Sequence, residues 1–243
     1  MGAVAKNMLK IENLSKSYGD KKVIENLSLQ INKGEIFGFI GHNGAGKSTT
    51  IKCCVGILKF EGGNIYIDGT SIKDNPLECK ASIAYIPDNP DLYEYMKGVE
   101  YLNFIGSVFK VEPSLLSQRI EKYASDFSLT ADLAQPISSY SHGMKQKLAI
   151  ISAWIHQPKL IIMDEPFVGL DPKAAHTLKL MMREVCDQGG AIFFSTHVLE
   201  VAEKLCDKVA ILKGGKIIRC GTMEEVVGDE SLEEVFLAGA EDD

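Results

Sequence analysis

The stretch Gly41-His42-Asn43-Gly44-Ala45-Gly46-Lys47-Ser48 decides the fold, because it fits G-x-x-x-x-G-K-[ST] without a gap. The apolar run Ile36 to Ile40 precedes it and reads as a strand. A helical pattern from Lys47 to about Leu58 follows it. Strand, glycine-rich turn and helix in that order are the context this pattern requires. The glycines let backbone N–H groups turn inward around phosphate oxygens, and the helix N-terminus adds a partial positive charge. Within this cradle, Gly41 to Thr49, Lys47 can reach β- and γ-phosphates and the Ser48 hydroxyl can hold Mg²⁺.

Further along, Leu160-Ile161-Ile162-Met163 is a wholly apolar run that ends in Asp164-Glu165. Such a run suits a strand buried on both faces of a parallel sheet. Alone it is a weak signal, since strands often end in charged loops. After a phosphate cradle it gains a chemical meaning. An Asp at this place helps to hold Mg²⁺, and the next residue, Glu165, can orient or deprotonate an attacking water.

The rest of the chain fits an α/β class. Leu9–Leu14, Leu27–Ile31 and Ile65–Ile67 read as strands between the turns Gly19-Asp20, Lys33-Gly34, Gly62-Gly63 and Asp68-Gly69. From Tyr93 to about Ile155 the pattern is helical, with apolar positions at Tyr101, Phe104, Ile105 and Val108, then Ile120, Tyr123, Ala124 and Phe127. Afterwards come helix Ala174–Cys186, buried strand Ala191–Ser195, helix Val198–Leu205 and a hairpin around Gly214-Gly215. Thr222 with Glu225 and Ser231 with Glu234 form two capping boxes, so two short helices are expected, with fraying at Glu241-Asp242-Asp243. The expected fold is a P-loop NTPase core with a mostly parallel sheet and an antiparallel N-terminal β-subdomain. Residues 1–87 and 156–243 build that core, and 88–155 form a helical insertion.

Composition narrows the function. With 243 residues the chain can bury a substantial core without staples. A net charge of −7 gives no sign of the basic face that a dedicated nucleic-acid binder carries. No segment approaches the length of apolar chain needed to cross a bilayer, Met1 to Lys10 lacks a signal-peptide core, and Lys6 breaks a myristoylation pattern. Any link to a membrane is therefore expected to run through a partner. The six cysteines lack metal spacing and are expected to be reduced.

Three further segments complete a family pattern. Ser141-His142-Gly143-Met144-Lys145-Gln146 looks like the L-S-G-G-Q signature segment. Gly169-Leu170-Asp171-Pro172 looks like a D-loop, and Ser195-Thr196-His197 like a switch-histidine segment. Together with the cradle and the carboxylates, in this order, they make the chain resemble the ATP-binding subunit of ABC transporters from about Leu9 to Ala238. Read physically, Ser141 is a good N-cap, and Gly143 with Lys145 at a helix start makes a plausible anion site.

The resemblance implies more. ATP and Mg²⁺ would be the cofactors, with Asp164 and Ser48 at the metal. Tyr18 would stack on adenine. Ser141, His142, Gly143 and Met144 would face the γ-phosphate bound to a second ATP-binding subunit, and Asp171 would bridge to the opposing cradle. His197 would contact the γ-phosphate and position water for Glu165. The resemblance further implies a membrane-spanning permease subunit as partner, a homodimer or related heterodimer, a cytoplasmic place on the inner membrane face, and export as the direction.

Two positions depart from the family pattern. Tyr85-Ile86-Pro87-Asp88 puts Asp88 where the family's Q-loop has Gln, so a shorter, charged group would meet the metal through water. The signature reads Ser-His-Gly-Met, with His142 adding bulk and Met144 unable to hydrogen-bond as Gln does. The aromatic and apolar stretch Pro90, Leu92, Tyr93, Tyr95 and Met96 would help to form a groove for a permease coupling helix, or would pack internally. Two rival readings are a soluble ABC-type ATPase acting on ribosomes or nucleic acid, and a nucleotide-binding regulator without turnover. One cassette, no heptad run and an acidic balance weigh against the first; Glu165 and His197 weigh against the second.

Overall fold

A computed structural model describes residues 7–241. Strand β1 (Asn7–Tyr18) turns at Gly19-Asp20 into β2 (Lys21–Asn32), and β3 (Ile36–Gly41) leads into α1 (Lys47–Cys54). Next come β4 (Gly62–Ile67), β5 (Thr70–Ser71), α2 (Pro76–Ser82) and β6 (Ile83–Ile86). Helices α3 (Gly98–Val108), α4 (Pro113–Asp126) and α5 (His142–Trp154) follow. The chain then returns through β7 (Leu160–Asp164), α6 (Pro172–Asp187), β8 (Ala191–Thr196), α7 (Leu199–Leu205), β9 (Lys208–Lys213) and β10 (Lys216–Thr222). Helices α8 (Met223–Val227) and α9 (Leu232–Glu241) complete the described part.

A four-stranded antiparallel sheet has the order β2-β1-β4-β5, and a six-stranded sheet the order β10-β9-β3-β8-β7-β6. The larger sheet is parallel except for its β9–β10 edge hairpin. This is a P-loop NTPase fold with an antiparallel N-terminal unit and a run of helices inserted between β6 and β7.

Every residue of β3, β7 and β8 is buried, because both faces of the large sheet are covered. Strand alternation sorts the side chains into two cores. Phe37, Phe39, Ile162 and Phe193 pack with α1 and the antiparallel sheet. Ile36, Ile40, Ile161, Met163 and Phe194 pack with the helices on the other face. Phe193 holds the first core together, with ring centroids 6.1 Å from Phe37 and 5.4 Å from Phe39.

Several boundaries differ from those read in the sequence. Helix α1 ends at Cys54 rather than near Leu58, because Gly56 takes φ +69 and reverses the chain. Its N–H donates to the Cys53 carbonyl at 3.1 Å, and the Ile57 N–H to Lys52 at 2.9 Å, which closes the helix end as a Schellman motif does. The helical run expected from Tyr93 starts at Gly98. Residues 93–97 instead form a turn stitched to the chain before α5, with Ile137 N–H donating to Met96 and Ser138 N–H to Glu94. On α3 the buried face is Gly98, Tyr101, Leu102 and Gly106, so Phe104 and Val108 stand exposed. Val198 caps α7 rather than opening it. The short β5 and α2 carried too little periodicity to be read in advance.

Other expectations hold. Gly214 and Gly215 both take positive φ at the hairpin turn. Both capping boxes form, with Thr222–Glu225 and Ser231–Glu234 exchanging hydrogen bonds. All six cysteines are free thiols, five of them buried. Of the fraying expected at residues 241–243, Glu241 instead closes α9, while residues 242–243 and 1–6 lie outside the described residues. Among the described residues, no helix is long and apolar enough to cross a membrane.

Leu178 tests the helix-side core. It is fully buried on α6 among Met163, Phe194 and their neighbours. Leu178→Ala is expected to cost about 2–5 kcal/mol, since close-packed surroundings refill a cavity only in part. Urea unfolding of the two proteins should report this as a lowered midpoint at unchanged slope.

Candidate active site

The parallel register brings the chemistry to one edge. Ile40 lies beside Thr196, Asp164 beside Ser195, and Gly41 beside Leu212. Strands β3, β7, β8 and β9 therefore end together, at the C-terminal edge where α/β sheets bind ligands.

The cradle leaves β3 at Gly41, where a side chain would lie 2.7 Å from the Leu212 carbonyl. Gly44 and Gly46 take φ +82 and +109, so both need glycine's freedom. The loop is braced from the side by the β9–β10 turn, whose Gly215 N–H donates to the Ala45 carbonyl at 3.0 Å. Lys47 is 6% exposed, and its Nζ donates to the carbonyls of Gly41 at 2.6 Å and His42 at 3.3 Å. Burial holds its ammonium below the usual lysine range, offset in part by the charges of Glu165 and Asp164.

Asp164 is buried at the end of β7 and accepts a hydrogen bond from the Ser195 hydroxyl. Ser195 serves twice, since its oxygen also accepts the Glu165 backbone N–H at 3.1 Å. That N–H reaches the Ser195 carbonyl as well, at 3.2 Å. Glu165 takes φ +49, a conformation rare for a residue with a side chain, and these bonds hold it there. Its Oε2 meets His197 Nδ1 at 3.0 Å and accepts the His197 backbone N–H at 3.3 Å. Its Oε1 lies 3.8 Å from Lys47 Nζ.

A cleft of about 450 Å³ collects these groups. Its lining includes Tyr18, His42, Asn43, Gly44, Gly46, Lys47, Ser48, Thr49, Asp88, Asp164 and Glu165. Tyr18, half exposed at the β1–β2 hairpin, thus shares the cleft with the cradle. Among the lining residues, Ser48, Asp88 and Asp164 offer only oxygen donors, a set that suits Mg²⁺ better than a softer ion.

Ser141, His142, Gly143, Met144 and Asp171 do not line this cleft. They stand at the starts of α5 and α6. Ser141 caps α5 by accepting the Met144 N–H at 3.3 Å. Asp171 caps α6 by accepting the Ala174 N–H at 2.9 Å and pairs with Lys147 of α5 at 2.6 Å. That lysine holds the Asp171 carboxyl below its usual range.

A family model described as ABC transporter matches residues 24–168. The chain belongs to the ABC transporter family. It is 36% identical over 221 residues to an uncharacterised ABC transporter ATP-binding protein of Methanocaldococcus jannaschii, covering 91% of this chain and 80% of that one. A linearmycin resistance ATP-binding protein of Bacillus subtilis is 32% identical over 235 residues, covering 96% and 76%. A solved ATP-binding subunit of an ABC transporter superposes with a TM-score of 0.92 at 35% identity, covering 96% of this chain and all of that one. The chain is thus an ATP-binding subunit of this family, whose activity is ATP hydrolysis.

Several residues of this ABC subunit escaped the sequence reading. The sequence marks Ser195 only as part of the switch segment, not as the group that ties Asp164 to Glu165. Gly214 and Gly215 were read as a hairpin turn, yet both line the cleft. Their glycine pair was visible; its contact with Ala45 depended on tertiary placement.

Ser195→Ala is expected to leave nucleotide affinity within about twofold while lowering kcat by roughly 10- to 100-fold, the usual effect of losing an orienting partner. Steady-state ATPase assays beside nucleotide titrations would check this. Lys47→Ala, by contrast, should lose nucleotide affinity itself in the same titrations.

Proposed function

We propose that the chain is the ATP-hydrolysing engine of a membrane exporter, working as a pair of ATP-binding subunits beneath a separate membrane-spanning permease subunit. The observation that carries the chemistry is the Glu165 carboxylate, held by His197 on one oxygen and close to Lys47 on the other. A carboxylate so fixed can accept a proton from water attacking the γ-phosphate. The His197 N–H groups keep it turned toward the cleft. Lys47, once its Nζ leaves the Gly41 and His42 carbonyls, neutralises charge on the β- and γ-phosphates. Tyr18 offers a ring for adenine to stack on. Bound Mg²⁺ would supply further charge stabilisation on the phosphates. Ser48 and Asp164 would hold that ion, and Asp88 would reach it through water.

The second protomer would contribute Ser141, His142, Gly143 and Met144 to the γ-phosphate. Asp171 would join the two cradles. Their grouping away from the chain's own cleft agrees with a role in trans. Closure would follow from contacts made only in the closed pair.

The surface after Asp88 fits the permease contact. Tyr93, Tyr95 and Phe104 are exposed and adjoin, with Tyr93 ring centroids 6.0 Å from Tyr95 and 5.8 Å from Phe104. Leu92 and Met96 of the same stretch pack inward. Glu94 pairs with Lys145 on α5, so this loop is tied to the signature helix. Movement outward is supported by the relative whose name ties it to linearmycin resistance. The site of action would be the cytoplasmic face of the membrane.

Glu165→Gln is expected to keep ATP binding while turnover falls by about 100-fold or more, the scale of a lost general base; parental turnover would remove Glu165 from that role. The same variant, tagged and purified from gently solubilised membranes with ATP, should bring down a multi-spanning membrane protein in stoichiometric amount. Recovery of ribosomes, nucleic acid or soluble proteins alone would overturn the transport reading.

A further inference from the structure

We infer that Phe236, on the last helix, is a positioning residue for the phosphate cradle. Its ring centroid lies 4.4 Å from that of the His42 imidazole, the planes tilted by 46°. His42 is the second residue of the cradle and lines the cleft. Its carbonyl accepts from Lys47 Nζ at 3.3 Å and from the Ala45 N–H at 3.1 Å. Moving His42 therefore disturbs two of the cradle's own hydrogen bonds.

Helix α9 is built as a fixed support. Leu232 and Val235 are fully buried in the helix-side core. The Ser231–Glu234 capping box fixes its start. It packs on α7, α8 and β9, and β9 carries the Leu212 that adjoins Gly41. Phe236 follows Val235 and is partly buried against the helix-side core, and its ring also reaches the His42 imidazole.

The cradle's other supports come from β2, β9 and the β9–β10 turn, through backbone and through the Leu212 and Ile24 side chains beside Gly46. Gly215 holds Ala45, and the Val23 carbonyl stands 3.1 Å from where a side chain at Gly46 would begin. At the tip, Gly44 has no neighbour within 4 Å of that position. The contact between Phe236 and His42 adds a side-chain support from a further element, α9, to a loop with an open tip. The C-terminal helix thereby sets how firmly the cradle is preorganised for phosphate, and through that the nucleotide affinity.

This inference rests on the phosphate-cradle reading, and the test separates the two. A double-mutant cycle of His42→Ala and Phe236→Ala, with Phe236→Leu beside it, would be titrated with a fluorescent ATP analogue in Mg²⁺. Nucleotide-free urea unfolding would be measured in parallel. Each single variant should weaken nucleotide affinity by about two- to tenfold, as an aromatic pair does. The double variant should be no weaker than the worse single, since both remove one contact. Phe236→Leu should keep the urea midpoint yet lose affinity. Additive effects in the cycle, or a lowered midpoint with parental affinity, would make Phe236 a packing residue only and overturn the inference. Lys47→Ala in the same assay reports on the cradle: if it binds as the parent does, the cradle reading itself has failed.

Discussion

A buried ammonium must find oxygen, and Lys47 organises the site by that requirement. Removing a lysine from water costs several kcal/mol unless hydrogen bonds and opposite charge offset it. Two cradle carbonyls and the Glu165 carboxylate provide the offset. The cradle must therefore curl tightly enough to present its carbonyls to its own lysine. Glu165 must stand within reach from the end of another strand, and its backbone there takes a left-handed φ. The same set suits a phosphate, because Lys47 can exchange neutral carbonyls for anionic oxygens. Preorganised charge of this kind costs no reorganisation during reaction.

Parallel strands make that meeting possible. Residues far apart in sequence arrive at one edge because neighbouring strands run the same way and end in register. Ser195 gains its place from this alone. Lying beside Asp164 across the β7–β8 ladder, it donates to the carboxylate and receives the next N–H along the chain. The cores on either face then fix the edge. Phe193 grips β3 from below, and the α6 residues close the other side.

What was legible in the sequence was whatever depends on local chemistry. The cradle, the Asp164-Glu165 pair, the Gly-Gly turn and the two capping boxes each state their geometry within a few residues. What was hidden depends on distant contacts. Phe104 and Tyr101 look alike on a helical wheel, yet only Tyr101 faces the core, because the packing of α3 on α4 and α5 selects which face is buried. Gly56 stops α1 at a positive φ, while the apolar Ile57 and Leu58 beyond it prolong the helical pattern in the sequence. The turn at residues 93–97 imitates a helix in composition, and only its hydrogen bonds to residues 137 and 138 separate it.

The unusual signature segment finds its explanation in a neighbour. A histidine at 142, where the family has glycine, adds a ring that needs room. A side chain at Gly169 would begin 2.6 Å from the His142 ring, so glycine there, at φ +79, makes that room. In return, a side chain at Gly143 would begin 2.6 Å from the Gly169 carbonyl. Lys147 then ties α5 to Asp171 two residues further on. The segment that begins α5 and the loop that precedes α6 are therefore interlocked through sterics and charge. The His142 ring lies beside Gly169 while the residue stays exposed, so it both contacts that loop and remains on the surface at the start of α5. Substituting His142 alone would loosen this joint as well as alter the surface, and the two positions must be read as a pair.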